Sequence, residues 1–126
     1  MARIETRWLD DDALSATAIA RHVEHFADTP STGGTAIAAD GTIYLSDTDT
    51  KRILTIDPTG KVTTLIVDPR LIWVDAMWID DKGDLLLPAS QLNRTAGLNR
   101  GTDAVTPPIT LYRLAIDAKP AGNDHR

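Results

Sequence analysis

Ala36-Ile37-Ala38-Ala39-Asp40-Gly41-Thr42-Ile43-Tyr44-Leu45 is followed by a second version of itself, Ala76-Met77-Trp78-Ile79-Asp80-Asp81-Lys82-Gly83-Asp84-Leu85-Leu86-Leu87. Gly41 and Gly83 lie 42 positions apart, as do Leu45 and Leu87. Aligned from Ala36 and Ala76, the second copy carries two extra residues in its turn. Each copy reads as apolar run, Asp- and Gly-marked turn, apolar run, which is a β-hairpin. Asp40-Gly41 is the strongest two-residue hairpin signal, since glycine accepts the positive φ such turns need. A spacing of roughly 40–50 residues with four short strands per unit is the pattern of a β-propeller blade. The competing reading is a generic meander with two similar hairpins.

Working outward, the first unit supplies four strand candidates: Thr35 to Ala39, Thr42 to Ser46, Arg52 to Asp57 and Lys61 to Val67, with Pro58-Thr59-Gly60 as a turn. The second supplies three: Asp75 to Ile79, Asp84 to Leu87 and, after a long loop, Ile109 to Ile116. Near the N-terminus, Arg3 to Trp8 alternates, with Ile4, Thr6 and Trp8 on one side, and period two predicts a strand. That strand is the candidate for the outer position the second unit lacks. Asp10-Asp11-Asp12 offers helix-capping chemistry, and Ile19, Val23 and Phe26 fall on one helix face, predicting a helix over about 13–21. Val23 to Ala27 reads equally well as extended. The expectation is an all-β chain with one short helix near its N-terminus: a partial propeller over 1–116, with blades at 35–67 and 75–116, and a disordered tail over 117–126.

Composition bounds the chemistry. The 126 residues are 42 % hydrophobic and 25 % charged, with a net charge of −5. That balance disfavours nucleic acid as a partner, because phosphate binding needs a basic patch. No run of about eighteen apolar residues offers a membrane span. Arg3, Glu5, Arg7 and Asp10 to Asp12 do not fit a signal peptide. There is no cysteine, so disulfides, thiolate metal sites and a cysteine nucleophile are excluded.

At the second hairpin the sequence resembles the major royal jelly protein/yellow family. The residues that carry this are Asp68-Pro69-Arg70-Leu71-Ile72-Trp73-Val74-Asp75-Ala76, Leu85-Leu86-Leu87 leading into Gln91-Leu92-Asn93-Arg94, and Pro107-Pro108-Ile109-Thr110-Leu111-Tyr112-Arg113. Gly33-Gly34 and Asp40 to Leu45 fit the preceding blade. The resemblance spans roughly Thr6 to Ile116 and corresponds to the family's C-terminal portion. It implies about two blades of a six-bladed β-propeller and secretion; with no signal peptide in this chain, a cytoplasmic location is the alternative. More distantly, Asp75-Ala76-Met77-Trp78-Ile79-Asp80 is similar to a segment of gluconolactonase-type propellers whose first Asp binds a divalent cation. This resemblance implies Asp75 as a metal ligand, with Ca²⁺ as the ion; Ala76 stands where those relatives have glycine.

Strand geometry alone also gathers candidates. Asp75 opens one strand, and Ser90, Gln91 and Asn93 follow the end of its neighbour, so they share one rim. Thr32, Ser46 and Asp47 form the equivalent rim of the first unit. The Ser90 to Pro108 loop is long for a compact domain, and such loops often carry function. The ligand-binding candidates are therefore Asp75, Gln91, Asn93, Asp47 and Arg94. Each has a structural reading beside it: Asp75 as a strand-start acceptor for backbone amides, Asp47 as a turn acceptor beside Asp49, and Gln91 and Asn93 as loop braces. Oxygen ligands of this kind suit Ca²⁺, which needs about six to eight. Trp8, Trp73 and Trp78 read as core and inter-blade packing, with Trp78 pointing inward. His22 and His25 read as a solvated helix edge, and His125 lies in the tail. No catalytic residue set is visible. The functional expectation is a non-enzymatic protein that binds a small-molecule ligand or a protein, with self-association to complete the ring. The alternatives are a metal-dependent lactone hydrolase active only in a completed ring, and a non-functional remnant of a longer gene.

Overall fold

The computed structural model describes residues 1–122. The chain runs β1 (Ala2–Arg3), α1 (Thr6–Leu9), α2 (Ala16–Ala20), β2 (Glu24–His25), β3 (Thr35–Ile37), β4 (Ile43–Asp47), β5 (Arg52–Ile56), β6 (Val62–Val67), β7 (Trp78–Ile79), β8 (Asp84–Ala89), a 3₁₀ turn at Leu92–Arg94, and β9 (Thr110–Ala115). The protein is all-β apart from these short helices. β3-β4-β5-β6 form one antiparallel meander, β7-β8-β9 a second, and β1-β2 a two-stranded ribbon.

The repeat is more regular than the sequence alignment suggests. Ile37 pairs with Ile43 in the first hairpin and Ile79 with Leu85 in the second. Those pairs are offset by a constant 42 positions, so the second turn has gained no residues. Nor is Asp40-Gly41 a two-residue turn. Gly41 N–H bonds to the Ala38 carbonyl and Ala38 N–H to the Thr42 carbonyl, both at 2.9 Å, which encloses three residues. Gly41 has φ +86° and Gly83 φ +84°, the left-handed position that closes a three-residue hairpin. Asp57 to Gly60 repeats this between β5 and β6, with Gly60 N–H on the Asp57 carbonyl at 2.9 Å.

The two meanders pack face to face. Tyr44, Ile53, Leu71, Val74, Met77, Ile79, Leu85 and Leu87 are buried between them. The opposite face of the first meander buries Leu45, Leu54 and Ile56 against Ala27, with Met1 and Phe26 at its border. Both faces of the first sheet are thus covered, which is why β4 and β5 are buried along nearly their whole length rather than at alternate positions. The second sheet keeps alternation: Leu85, Leu87 and Ala89 are buried, and Asp84, Leu86 and Pro88 less so. Its outer face carries Trp78, 61 % exposed, and Leu111, 59 % exposed. Trp78 therefore points outward, contrary to expectation; period two in β7 gives the inward position to Ile79 instead.

Three other elements differ from the sequence reading. Arg3 to Trp8 is not a strand. Only Ala2–Arg3 is extended, and Trp8 N–H then bonds to the Glu5 carbonyl and Asp10 N–H to the Thr6 carbonyl. The turn lets Trp8 stack on His22, ring centroids 3.8 Å apart at 7°, a local contact that outweighs strand alternation. The helix predicted over 13–21 is only Ala16–Ala20, because Ser15 is the N-cap and its Oγ accepts the Ala18 N–H at 3.2 Å. Part of the predicted tail makes backbone contacts with β3: Ala39 N–H bonds to the Lys119 carbonyl, Ala121 N–H to the Ile37 carbonyl, and Ala38 bridges Pro120. The edge of β3 offers these backbone partners, which composition does not reveal. The remainder of the predicted tail, 123–126, with His125, lies outside the described residues.

Candidate functional site

The residues after β8 are held by backbone bonds to the segment before β7. Asp75 N–H bonds to the Pro88 carbonyl, Ser90 N–H to Trp73 and Gln91 N–H to Ile72, each at 3.1 Å. Ser90 Oγ adds a bond to the Trp73 carbonyl at 2.8 Å. Between this bridge and β7, Ala76 adopts φ +48°, which interrupts the expected Asp75 to Ile79 strand and leaves only Trp78–Ile79 as regular ladder. Pro88, unusual in a central strand, sits beside that interruption, where a lost N–H costs little.

Gln91 turns the chain into the long loop with φ +55°, and its buried side chain clamps the far end of that loop. Its Nε2 donates to the Thr106 carbonyl at 2.8 Å, and its Oε1 accepts from Thr106 N–H and from Arg94 Nη1, both at 3.0 Å. Three of the amide's four hydrogen-bonding directions are used, both acceptor positions and one of the two N–H groups. The clamp forms one wall of a cleft of about 390 Å³, whose other walls include Arg70, Ile72, Pro108 and Tyr112, with Arg94 at its side.

The two arginines differ. Arg70 lies over the Tyr112 ring at 5.3 Å and forks onto Asp68, with Nη2 to Oδ2 at 2.6 Å. This hydrogen bonding, first from the Arg70 side chain and then from its backbone N–H, lowers the Asp68 carboxyl from the usual 3.8 to about 2. Arg94 has only the neutral Gln91 amide oxygen as a side-chain acceptor and no carboxylate in salt-bridge reach among the described residues.

The remaining candidates lie elsewhere. Asn93 is exposed on the 3₁₀ turn and does not line the cleft. Asp75 is half-buried and its Oδ1 accepts the Ala76 N–H at 2.8 Å. Asp47 is buried and fully engaged: Oδ1 takes the N–H groups of Asp49 and Thr50, and Oδ2 takes Thr50 Oγ1 and Arg52 at 2.6 Å. Burial pushes its carboxyl upward, but the Thr50 and Arg52 contacts outweigh this and leave it lowered. Its geometry is that of a turn acceptor. Among the described residues, no three His, Cys, Asp or Glu side chains come together in an arrangement able to hold a metal ion. His25 bonds Asp28 at 2.9 Å, while His22 stacks on Trp8.

Of five candidates, then, the fold brings two together, Gln91 and Arg94. It adds Arg70 and Tyr112, whose meeting depends on β9 returning beside the turn at Asp68, a long-range contact no local spacing reveals. Trp73 Nε1 is buried without a hydrogen-bond partner. A larger, mostly apolar groove of about 650 Å³ runs between β3 and β7, bordered by Ile37, Met77, Trp78 and Pro120. Compared with known proteins, the chain matches no family model and no curated protein.

Proposed function

We propose that the chain is a non-enzymatic binding protein, a royal-jelly/yellow-like propeller fragment of two consecutive blades, the second one strand short. The blade reading is supported by the constant 42-residue offset between hairpins of equal length and by the face-to-face packing of their sheets. The binding reading rests on the cleft beneath the 91–108 loop. Its volume of about 390 Å³ falls within the range of small-molecule sites. Its polar groups converge from three parts of the chain, and Gln91 fixes Arg94 at its side.

The chemistry favours a small anion with an apolar body. Arg94 supplies a guanidinium whose charge is not neutralised by a neighbouring carboxylate, suited to bidentate recognition of a carboxylate. Pro108, Ile72 and the Tyr112 ring supply apolar walls. Benzoate is a suitable first probe, titrated into the protein while amide resonances are followed by NMR. The expected result is saturable shifts confined to the amides of residues 91–94, Thr106 and Tyr112, abolished in Arg94→Gln. Shifts that are absent, or identical in Arg94→Gln, would remove this reading.

A further inference from the structure

We infer that Asp68 sets the charge selectivity of the cleft, so that its ligand is an aromatic monocarboxylate and not a dicarboxylate. Asp68 has this role only if the cleft is an anion site, as proposed above.

The device is built locally. Asp68-Pro69-Arg70-Leu71 is a tight turn, closed by Leu71 N–H on the Asp68 carbonyl at 3.0 Å. Aspartate at the first position and proline at the second are residues that such a turn favours. The Asp68 side chain folds over the turn, and its Oδ1 accepts the Arg70 N–H at 2.8 Å. That bond fixes the carboxylate beside the Arg70 side chain. Arg70 Nε then donates to Oδ1 at 2.9 Å and to Oδ2 at 3.1 Å, and Nη2 donates to Oδ2 at 2.6 Å. The guanidinium is gripped along its Nε edge, while the Tyr112 ring, 5.3 Å away, supports its face. Arg70 thus reaches the cleft held in position and with its charge already balanced.

The charges of the cleft follow by counting. Arg70 and Arg94 are the charged residues among its described lining. Arg94 donates to the Gln91 amide oxygen, which is neutral. Two guanidiniums therefore border the cleft, but only one positive charge is uncompensated. A monocarboxylate meets that charge and leaves the site neutral. A second carboxylate on the same ligand has two options, and both are unfavourable. To displace Asp68 it must break three side-chain contacts and strand the Arg70 backbone N–H. To share Arg70 it must place its charge beside that of Asp68, where like charges at close range repel. Bonds from the Arg70 side chain, then from its backbone N–H, hold the Asp68 carboxyl at about 2. Asp68 therefore stays ionised wherever a ligand carboxylate is ionised, since ordinary carboxylates titrate near about 4.

Titrations of the full chain at low ionic strength with benzoate, isophthalate and terephthalate test this selectivity. The two diacids differ in the spacing of their carboxylates, so one unsuitable spacing does not decide the result. Asp68→Asn keeps the Oδ1 acceptor for the Arg70 N–H but sets an amide donor against Nη2, which releases the guanidinium without undoing the turn. Wild type should bind benzoate about tenfold or more tightly than either diacid. In Asp68→Asn that preference should fall by about tenfold for at least one diacid. In Asp68→Asn/Arg70→Gln, which returns the cleft to one guanidinium, it should be restored. Each readout is a ratio of dissociation constants within one variant, so a lowered folded fraction cancels. Wild type binding a diacid as tightly as benzoate would overturn the role of Asp68 while leaving the cleft an anion site. A preference unchanged in Asp68→Asn, or still lost in the double variant, would do the same. Failure of all three probes to bind wild type would overturn the anion site itself, and the selectivity with it.

Discussion

Ser46 Oγ donates to the Val74 carbonyl at 2.7 Å, joining the two sheets through one buried hydroxyl. The same oxygen accepts the N–H groups of Gly33 and Gly34, each at 3.1 Å. Ser46→Ala would leave two amides and one carbonyl to find new partners where little room exists. An unsatisfied buried group costs about 1–3 kcal/mol. The expected loss is about 2–3 kcal/mol, read as a lower urea midpoint with an unchanged slope. An unshifted midpoint would mean that water replaces the hydroxyl.

The two glycines are required for a different reason. A Cβ on Gly33 would stand 2.4 Å from the Val74 carbonyl oxygen, and one on Gly34 2.6 Å from the Ala76 nitrogen. Both obstacles are backbone, so neither can rotate aside. Gly33→Ala and Gly34→Ala should each destabilise by about 2 kcal/mol or more, as overpacking does. Gly97→Ala, where a Cβ meets nothing within 4 Å, should leave the unfolding midpoint close to wild type. Equal effects at all three positions would point to glycine flexibility rather than close approach.

These contacts also mark what could be seen before the structure. The hairpins were legible because Gly41 and Gly83 need positive φ, and the strands of the first sheet because their apolar runs are bounded by Asp, Pro and Gly. Gly33-Gly34, by contrast, reads locally as plain loop; its role depends on Val74 and Ala76, some 40 residues away. Alternation over Arg3 to Trp8 misleads because it is weaker than the one stacked contact of Trp8 with His22. In the cleft, Gln91 and Arg94 were accessible as neighbours in a long loop. Arg70 and Tyr112 were not, since only the return of β9 brings them together. Asp47 shows the opposite error, a polar residue suggestive of a site that is consumed by its own turn.

Gln91 offers a test of how the cleft is held. Glu in its place keeps the size but loses the Nε2 donor, setting a carboxylate against the Thr106 carbonyl 2.8 Å from the old donor. Gln91→Glu should open the loop end without unfolding the sheets, with a cost of about 1–2 kcal/mol from the lost bonds. Faster hydrogen exchange at Thr106 and Ala104, with unchanged exchange in β4 and β5, is the expected signature. Uniform acceleration across the chain would instead make Gln91 part of the global core.

Acid stability follows from aspartates whose carboxyls the fold lowers. Asp68 falls to about 2 through Arg70. Asp57 and Asp80 are lowered by hydrogen bonds within their turns, led by the Thr59 hydroxyl and the Asp84 N–H respectively. Asp47 is lowered despite its burial. A carboxyl lowered on folding is protonated more readily in the unfolded chain, so unfolding takes up protons in acid. The stability from these groups is complete above about pH 5, a unit above the unfolded carboxylate value near 4. It is lost as pH falls through the folded values, near 2 for Asp68. Urea midpoints should be flat from neutral pH to about 5 and then decline steadily toward 2. Asp47→Asn keeps a turn acceptor while removing the charge opposite Arg52. This variant should start lower at neutral pH and fall less steeply in acid. A parallel curve would show that Asp47 contributes nothing to the acid transition.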